Sequence, residues 1–204
     1  MKSLNIAFDK DGVLTWLGWL PAGKGNGRQT ILDAKPSITY QNRPLIRKAL
    51  CTGMKLYTRY YPYRQDMIEL MKRLAEEGHK IYIITRAAFG TEDSIEGRDV
   101  RHEVYMSLAK AGIPCEMVIF VEGNKVTECQ EYDIDYIIED NAETITSLRE
   151  AGIKTIRVMT KYNNNLDGDD EYAASNTNDI YNIINSHELE EEKSITNLHL
   201  SRQI

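Results

Sequence analysis

Leu74-Ala75-Glu76-Glu77-Gly78-His79-Lys80-Ile81-Tyr82-Ile83-Ile84 reads as a helix end, a turn and a strand, and it decides the fold because it recurs. Leu108-Ala109-Lys110-Ala111-Gly112 leads into Met117-Val118-Ile119-Phe120-Val121. Leu148-Arg149-Glu150-Ala151-Gly152 leads into Ile153 and then Ile156-Arg157-Val158. In each copy a Leu stands four residues before a Gly. A helix that ends in a left-handed residue favours Gly there, because a Cβ would be strained. The runs that follow are short, apolar and β-branched, as strands covered on both faces are. Leu4–Phe8 and Tyr136–Ile138 are two more runs of the same kind.

Helices alternating with buried strands require crossover connections. The expected fold class is therefore α/β, a Rossmann-like parallel sheet with helices on both faces. Strands are expected near 4–8, 81–85, 117–121, 136–139 and 154–158. Helices are expected near 64–77, 98–111, 126–132 and 142–151, with a short one at 177–184. Residues 15–61 break this rhythm with Gly18, Gly23, Gly25, Gly27, Trp16, Trp19, Tyr40, Tyr57, Tyr60 and Tyr61. They are too long for a strand-to-helix loop and are expected to form a small cap inserted after the first strand. Residues 1–14 and 62–185 then make the core. Asn163–Glu171 reads as a polar loop, and 186–204, with Glu188, Glu190, Glu191 and Glu192, as a C-terminal appendage.

The 204 residues are 42% hydrophobic and 27% charged, which excludes a wholly disordered chain. No apolar run approaches the ~18 residues of a membrane span. The start, MKSLNIAFDKDG, does not read as a signal peptide, so a cytoplasmic protein is expected. Twenty-five Lys and Arg against 31 Asp and Glu give a net charge of −6, a poor match to duplex nucleic acid. Cys51, Cys115 and Cys129 form no CxxC pair, which points away from a disulfide framework or zinc.

In a parallel α/β sheet, ligands bind beyond the carboxyl ends of the strands. The residues there are Asp9-Lys10-Asp11-Gly12 after the first strand and Thr85-Arg86 after the second. Lys125 follows the third, and Glu139-Asp140-Asn141 follow the fourth. This set suits a Mg²⁺-bound phosphoryl group. Mg²⁺ takes hard oxygen ligands, for which Asp9 and Asp140 are direct candidates and Glu139 a candidate through water. Lys125, Thr85 and Arg86 are candidates to hold phosphate oxygens. Asp9 and Asp11, two apart on extended chain, project to one side, so one can attack phosphorus while the other handles a proton.

Taken singly, each has a plain structural reading. DxDG is a turn, Thr85 caps a helix, Lys125 is solvated, and Glu139-Asp140-Asn141 caps the next helix and complements its dipole. Their joint occurrence, in order, at four successive strand ends favours chemistry. A near P-loop, Gly18–Gly25 (GWLPAGKG), is set aside. It ends in Gly where Mg²⁺ needs Ser or Thr, contains Pro21, and follows no apolar strand.

FDKDGVL, IIT, the single Lys125 and IIEDN resemble, in order, the four motifs of the haloacid dehalogenase (HAD) superfamily of phosphohydrolases. The resemblance covers about 4–15 and 62–160. It implies Asp9 as a nucleophile forming an aspartyl-phosphate and Asp11 as general acid and then base. It further implies Thr85 and Lys125 on the phosphoryl oxygens, with Mg²⁺ on Asp9, the Asp11 carbonyl and Asp140. Tyr61-Pro62, IYIITR, RHEVYMSLAKAGIP, GNKVTEC and DIDYIIEDN resemble the 5′(3′)-deoxyribonucleotidases and their bacterial relatives, which implies a nucleoside monophosphate substrate. Trp16, Trp19 and Tyr60 of the expected cap are candidates to stack on its base. The competing readings are a phosphatase of sugar phosphates or another small metabolite, one acting on nucleic-acid ends, a phospho-accepting receiver-type domain, and a non-catalytic binding module.

Overall fold

The computed structural model describes residues 3–15, 42–161, 163, 166 and 170–186. Trp16, Trp19 and most of the expected cap lie outside them, as do most of the polar loop and the C-terminal appendage. The described strands are β1 (Asn5–Phe8), β2 (Lys80–Thr85), β3 (Met117–Phe120), β4 (Tyr136–Glu139), β5 (Thr155–Val158) and β6 (Ala173–Ala174). They form one sheet in the order β3-β2-β1-β4-β5-β6, and every pairing is parallel. The helices are α1 (Pro44–Tyr60), α2 (Gln65–Glu76), α3 (Ile95–Ala111), α4 (Val126–Glu131), α5 (Ala142–Glu150) and α6 (177–186). The α/β reading of the sequence holds. The sequence had not resolved α1, and the two-residue β6 is too short for any periodic signal.

The repeated Leu-to-Gly pattern is the hinge of this architecture. Gly78, Gly112 and Gly152 sit at φ +92°, +66° and +76°. In each copy the residue after the Gly donates its N–H to the carbonyl of the Leu five positions back, as His79 does to Leu74 at 3.1 Å. Ile113 to Leu108 and Ile153 to Leu148 repeat it at 3.1 and 3.0 Å. This closure satisfies an orphan helix carbonyl and sends the chain straight into the next strand.

Alternation along the strands distributes the core. Ile6, Phe8, Ile81, Ile83 and Ile138 face Met67, Met71 and Leu74 of α2, Val104 and Leu108 of α3, and Ile180 and Ile184 of α6. Ala7, Ile84, Ile119 and Ile137 face Cys129 of α4 and Leu148 of α5. Among the described residues, no helix is long and apolar enough to cross a membrane. Because β1 lies between β2 and β4, the residues after β1, β2 and β4 end up side by side at the carboxyl edge.

Candidate active site

The loop after β1 turns back at once. Leu14 and Thr15 donate their N–H groups to the Lys10 carbonyl at 3.0 and 3.1 Å. Gly12 sits at φ +103°, and a Cβ there would collide with the Asp140 carboxylate. The turn therefore brings backbone against a carboxylate from β4, which only glycine allows.

Asp9, Glu139 and Asp140 are all buried, and each offers a carboxylate oxygen within 4.8 Å of the others. Lys125, 1% exposed, donates through Nζ to Asp9 Oδ1 and to Glu139 Oε2, the latter at 2.7 Å. Its backbone is left-handed at φ +68°, where a lysine costs about 1–2 kcal/mol. The two buried ion pairs hold it there. The other Glu139 oxygen accepts the N–H groups of Asp140 and Asn141 at 3.1 and 3.0 Å. Glu139 thus orients both the lysine and the turn that follows β4. Asn141, not the acidic pair, caps α5, its Oδ1 accepting the Thr144 N–H at 3.0 Å. The purely capping reading of Glu139 and Asp140 therefore fails.

The electrostatics follow from this crowding. Burial, opposed by the Lys125 ammonium and reinforced by Glu139 and Asp11, pushes the Asp9 carboxyl up to about 7. Burial works against the Lys125 charge too, but Asp9 and Glu139 outweigh it and hold its pKa above the ordinary lysine value. Three buried carboxylates within 4.8 Å of one another repel, and a divalent cation between them would relieve that repulsion. The donors are all hard oxygens, as Mg²⁺ prefers. At the end of β2, the strand paired with β1, the Thr85 hydroxyl is buried with no hydrogen-bond partner among the described residues. An orphan donor at the carboxyl end of the strand beside the one that leads into Asp9 fits an anionic oxygen that arrives with a ligand.

Asp11 stands on the rim. Its Oδ1 accepts from Lys10 Nζ at 2.5 Å, Tyr57 Oη at 2.9 Å and Thr15 Oγ1 at 3.4 Å. Arg86 is half-buried. Tyr60 does not join the cluster. It is 71% exposed at the end of α1, while Tyr57 and Tyr61, one turn apart, stack at 4.9 Å on the inward face. The tyrosine of α1 that meets the site is Tyr57, and only the rotation of the helix distinguishes it from Tyr60.

Asn163 was hidden in what reads as an acidic loop. It is buried, and its Nδ2 donates to the carbonyls of Asp140 and Val158, both at 2.8 Å. Its Oδ1 accepts the Thr160 N–H at 2.9 Å, and its own carbonyl accepts from Arg157 Nη1 at 2.9 Å. The β4–β5 ladder stops at Glu139 and Arg157. Asn163 thus takes the first carbonyl that the sheet leaves unpaired.

No protein-family model matches the chain. A nucleotidase of Clostridium acetobutylicum is 23% identical over 198 residues, which span 90% of this chain and 95% of the relative. D,D-heptose 1,7-bisphosphate phosphatase from B. bronchiseptica, solved with magnesium and phosphate, superposes with a TM-score of 0.51 at 12% identity. That match covers 93% of this chain and 99% of the other. The HAD-hydrolase YfnB from Bacillus subtilis, bound to magnesium, superposes with a TM-score of 0.50 at 13% identity, over 91% of this chain and 100% of that one. The chain has the HAD fold.

Proposed function

We propose that this chain, with its HAD fold, is a Mg²⁺-dependent phosphomonoester hydrolase that works through an aspartyl-phosphate, and that its substrate is a nucleoside monophosphate. The observation that carries the proposal is one buried cluster at the carboxyl edge of the sheet. It joins Asp9 and Glu139 to Lys125 and sets Asp140 beside those carboxylates, with the orphaned Thr85 hydroxyl at the end of the neighbouring strand β2.

Uncatalysed hydrolysis of phosphate monoesters is slow enough to need accelerations up to ~10²¹, so splitting it into two displacements is worthwhile. Asp9 attacks phosphorus as the bond to the ester oxygen breaks, and Asp11 donates a proton to that leaving oxygen. Water then attacks the aspartyl-phosphate, with Asp11 taking the water proton and Asp9 leaving. Lys125 and Thr85 meet the phosphoryl oxygens and stabilise the charge that builds on them. Asp9, Asp140 and the Asp11 carbonyl would hold Mg²⁺, which supplies charge neutralisation and keeps Asp9 ionised. Residues 15–61 would form the cap over the substrate, with Trp16 and Trp19 as its base-stacking candidates. The nucleotide assignment is supported by the nucleotidase relative, which aligns over nearly its whole length.

The test is inorganic phosphate release from a panel of nucleoside monophosphates and sugar phosphates, with Mg²⁺ or EDTA. Release should require Mg²⁺, be fastest from nucleoside monophosphates, and fall on the order of 10⁴-fold or more in Asp9→Asn. Faster release from sugar phosphates would overturn the substrate. Release indifferent to EDTA and to Asp9→Asn would overturn the chemistry.

Asn163 gives a second expected result. An aspartate there would turn acceptor oxygens toward the two carbonyls that Asn163 Nδ2 serves. Asn163→Asp should weaken Mg²⁺ binding, measured by calorimetry without substrate, by about 10–100-fold. An unchanged Mg²⁺ affinity would mean that Asp140 keeps its place without this latch.

A further inference from the structure

The mechanism leaves Lys10 and Tyr57 unexplained. Lys10 is a buried lysine between two aspartates in sequence, and its Nζ donates to Asp11 Oδ1 at 2.5 Å. Its Nζ also lies 5.1 Å from the centre of the Tyr57 ring, within cation–π range. The ammonium is therefore clamped between a carboxylate and an aromatic face, and both belong to one contact group.

Tyr57 reaches this point from 46 residues away, and its helix is fastened to the core. Arg59 binds Glu103 through two N–H groups at 2.7 Å each, Lys55 meets Asp99 at 2.7 Å, and Arg47 meets Glu92 at 2.7 Å. Cys51 and Met54 of α1 pack with Val100 of α3 and with Ala87, Ala88 and Phe89 after β2. The Tyr57 hydroxyl is thus placed by the α1–α3 contact.

All three donors to Asp11 converge on Oδ1. Among the described residues none reaches Oδ2. We infer that Lys10 and Tyr57 are positioning residues that lock the Asp11 carboxylate by its Oδ1, so that Oδ2 alone faces the ester and exchanges the proton. This rests on the hydrolase reading above and adds to it the side chains that aim its acid. With Oδ1 filled by N–H and O–H groups, the proton of the acid form sits on Oδ2. It passes to the ester oxygen as the P–O bond breaks and that oxygen keeps the bonding electron pair. A carboxylate freed from the clamp would rotate and present the wrong oxygen, or none.

The consequence is selective for the leaving group. An alkyl ester, such as the 5′ ester of a nucleotide, expels a strongly basic oxygen and needs the proton. 4-Nitrophenyl phosphate expels a stable anion and needs it far less. The test compares kcat and KM for a nucleoside 5′-monophosphate and 4-nitrophenyl phosphate in the full chain, with Asp11→Asn as the reference for a lost acid. Tyr57→Phe, which deletes one oxygen, should lose at least tenfold more kcat on the alkyl ester than on the aryl ester, with KM moving less than kcat. Lys10→Met should follow the same split, and Lys10→Arg should restore part of the alkyl activity. Equal losses on the two esters would overturn the clamp while leaving the hydrolase reading intact. Wild-type protein that hydrolyses neither ester would overturn both. Tyr57→Phe decides alone if Lys10→Met does not fold.

Discussion

Lys125→Met is expected to lower the melting temperature in EDTA by about 10 °C and to reduce kcat by on the order of 10²–10³-fold. Lys125 is buried, and its two partners, Asp9 and Glu139, are buried with it. Removing one member of a buried ion pair costs about 3–5 kcal/mol, because the charge left behind has no water to turn to. Here the variant leaves a whole carboxylate cluster without its ammonium. The sign of the pH dependence follows. In the wild type, Asp9 is already raised to about 7, so between its ordinary value and 7 the folded state binds a proton that the unfolded chain does not. That group therefore loses stability as pH rises through this window. Without Lys125 its pKa rises further, and the loss continues above 7. The deficit in Lys125→Met should be smaller near pH 5, where Asp9 is protonated in both proteins, and should widen toward pH 8. Mg²⁺ should recover part of the melting temperature, because a cation offsets the same charge. Thermal melts at the two pH values, with and without Mg²⁺, read all of this. A variant within 2 °C of the wild type at pH 8 in EDTA would mean that the ammonium does not neutralise the cluster.

Gly12→Ala should remove activity on the order of 10²-fold or more and weaken Mg²⁺ binding, with the sheet intact by circular dichroism. Two causes act together. At φ +103° an alanine is strained, at a cost of about 1–3 kcal/mol. Its Cβ would also occupy the space of the Asp140 carboxylate. Either the loop carrying Asp11 or the Asp140 side chain must give way, and each holds a member of the site. Either way a candidate Mg²⁺ ligand is displaced, the Asp11 carbonyl with the loop or the Asp140 carboxylate, so kinetics and Mg²⁺ calorimetry should show kcat and Mg²⁺ affinity falling together. Full activity in Gly12→Ala would show that Asp140 does not need this approach.

The parts of the site that the sequence revealed are those fixed by local geometry. A strand that ends at Phe8, Thr85 or Glu139 delivers the residues at its carboxyl end to that edge whatever the neighbouring strands are. The Leu-to-Gly copies mark where each helix stops. Parallel connection then follows from the alternation, and with it the shared edge. Residues whose roles depend on a partner far along the chain were not legible in this way. Lys10 stood as the variable position of DxDG, Tyr57 as one of several tyrosines, and Asn163 as one more polar residue in an acidic loop. Tyr57 meets Asp11 across 46 positions and Asn163 meets Asp140 across 23.

The order of short apolar runs and glycines by itself determined the α/β class, the parallel sheet and the edge at which the acidic, hydroxyl and cationic residues collect. These depend on backbone conformation and on burial periodicity, which are local properties. Only the tertiary structure decided which tyrosine of α1 turns inward, that Lys10 and Lys125 lie buried on carboxylates, and that Asn163 ties down Asp140. Those outcomes depend on strand order and on how α1 is rotated against α3. Both are set by packing between distant segments, and no window of sequence contains them.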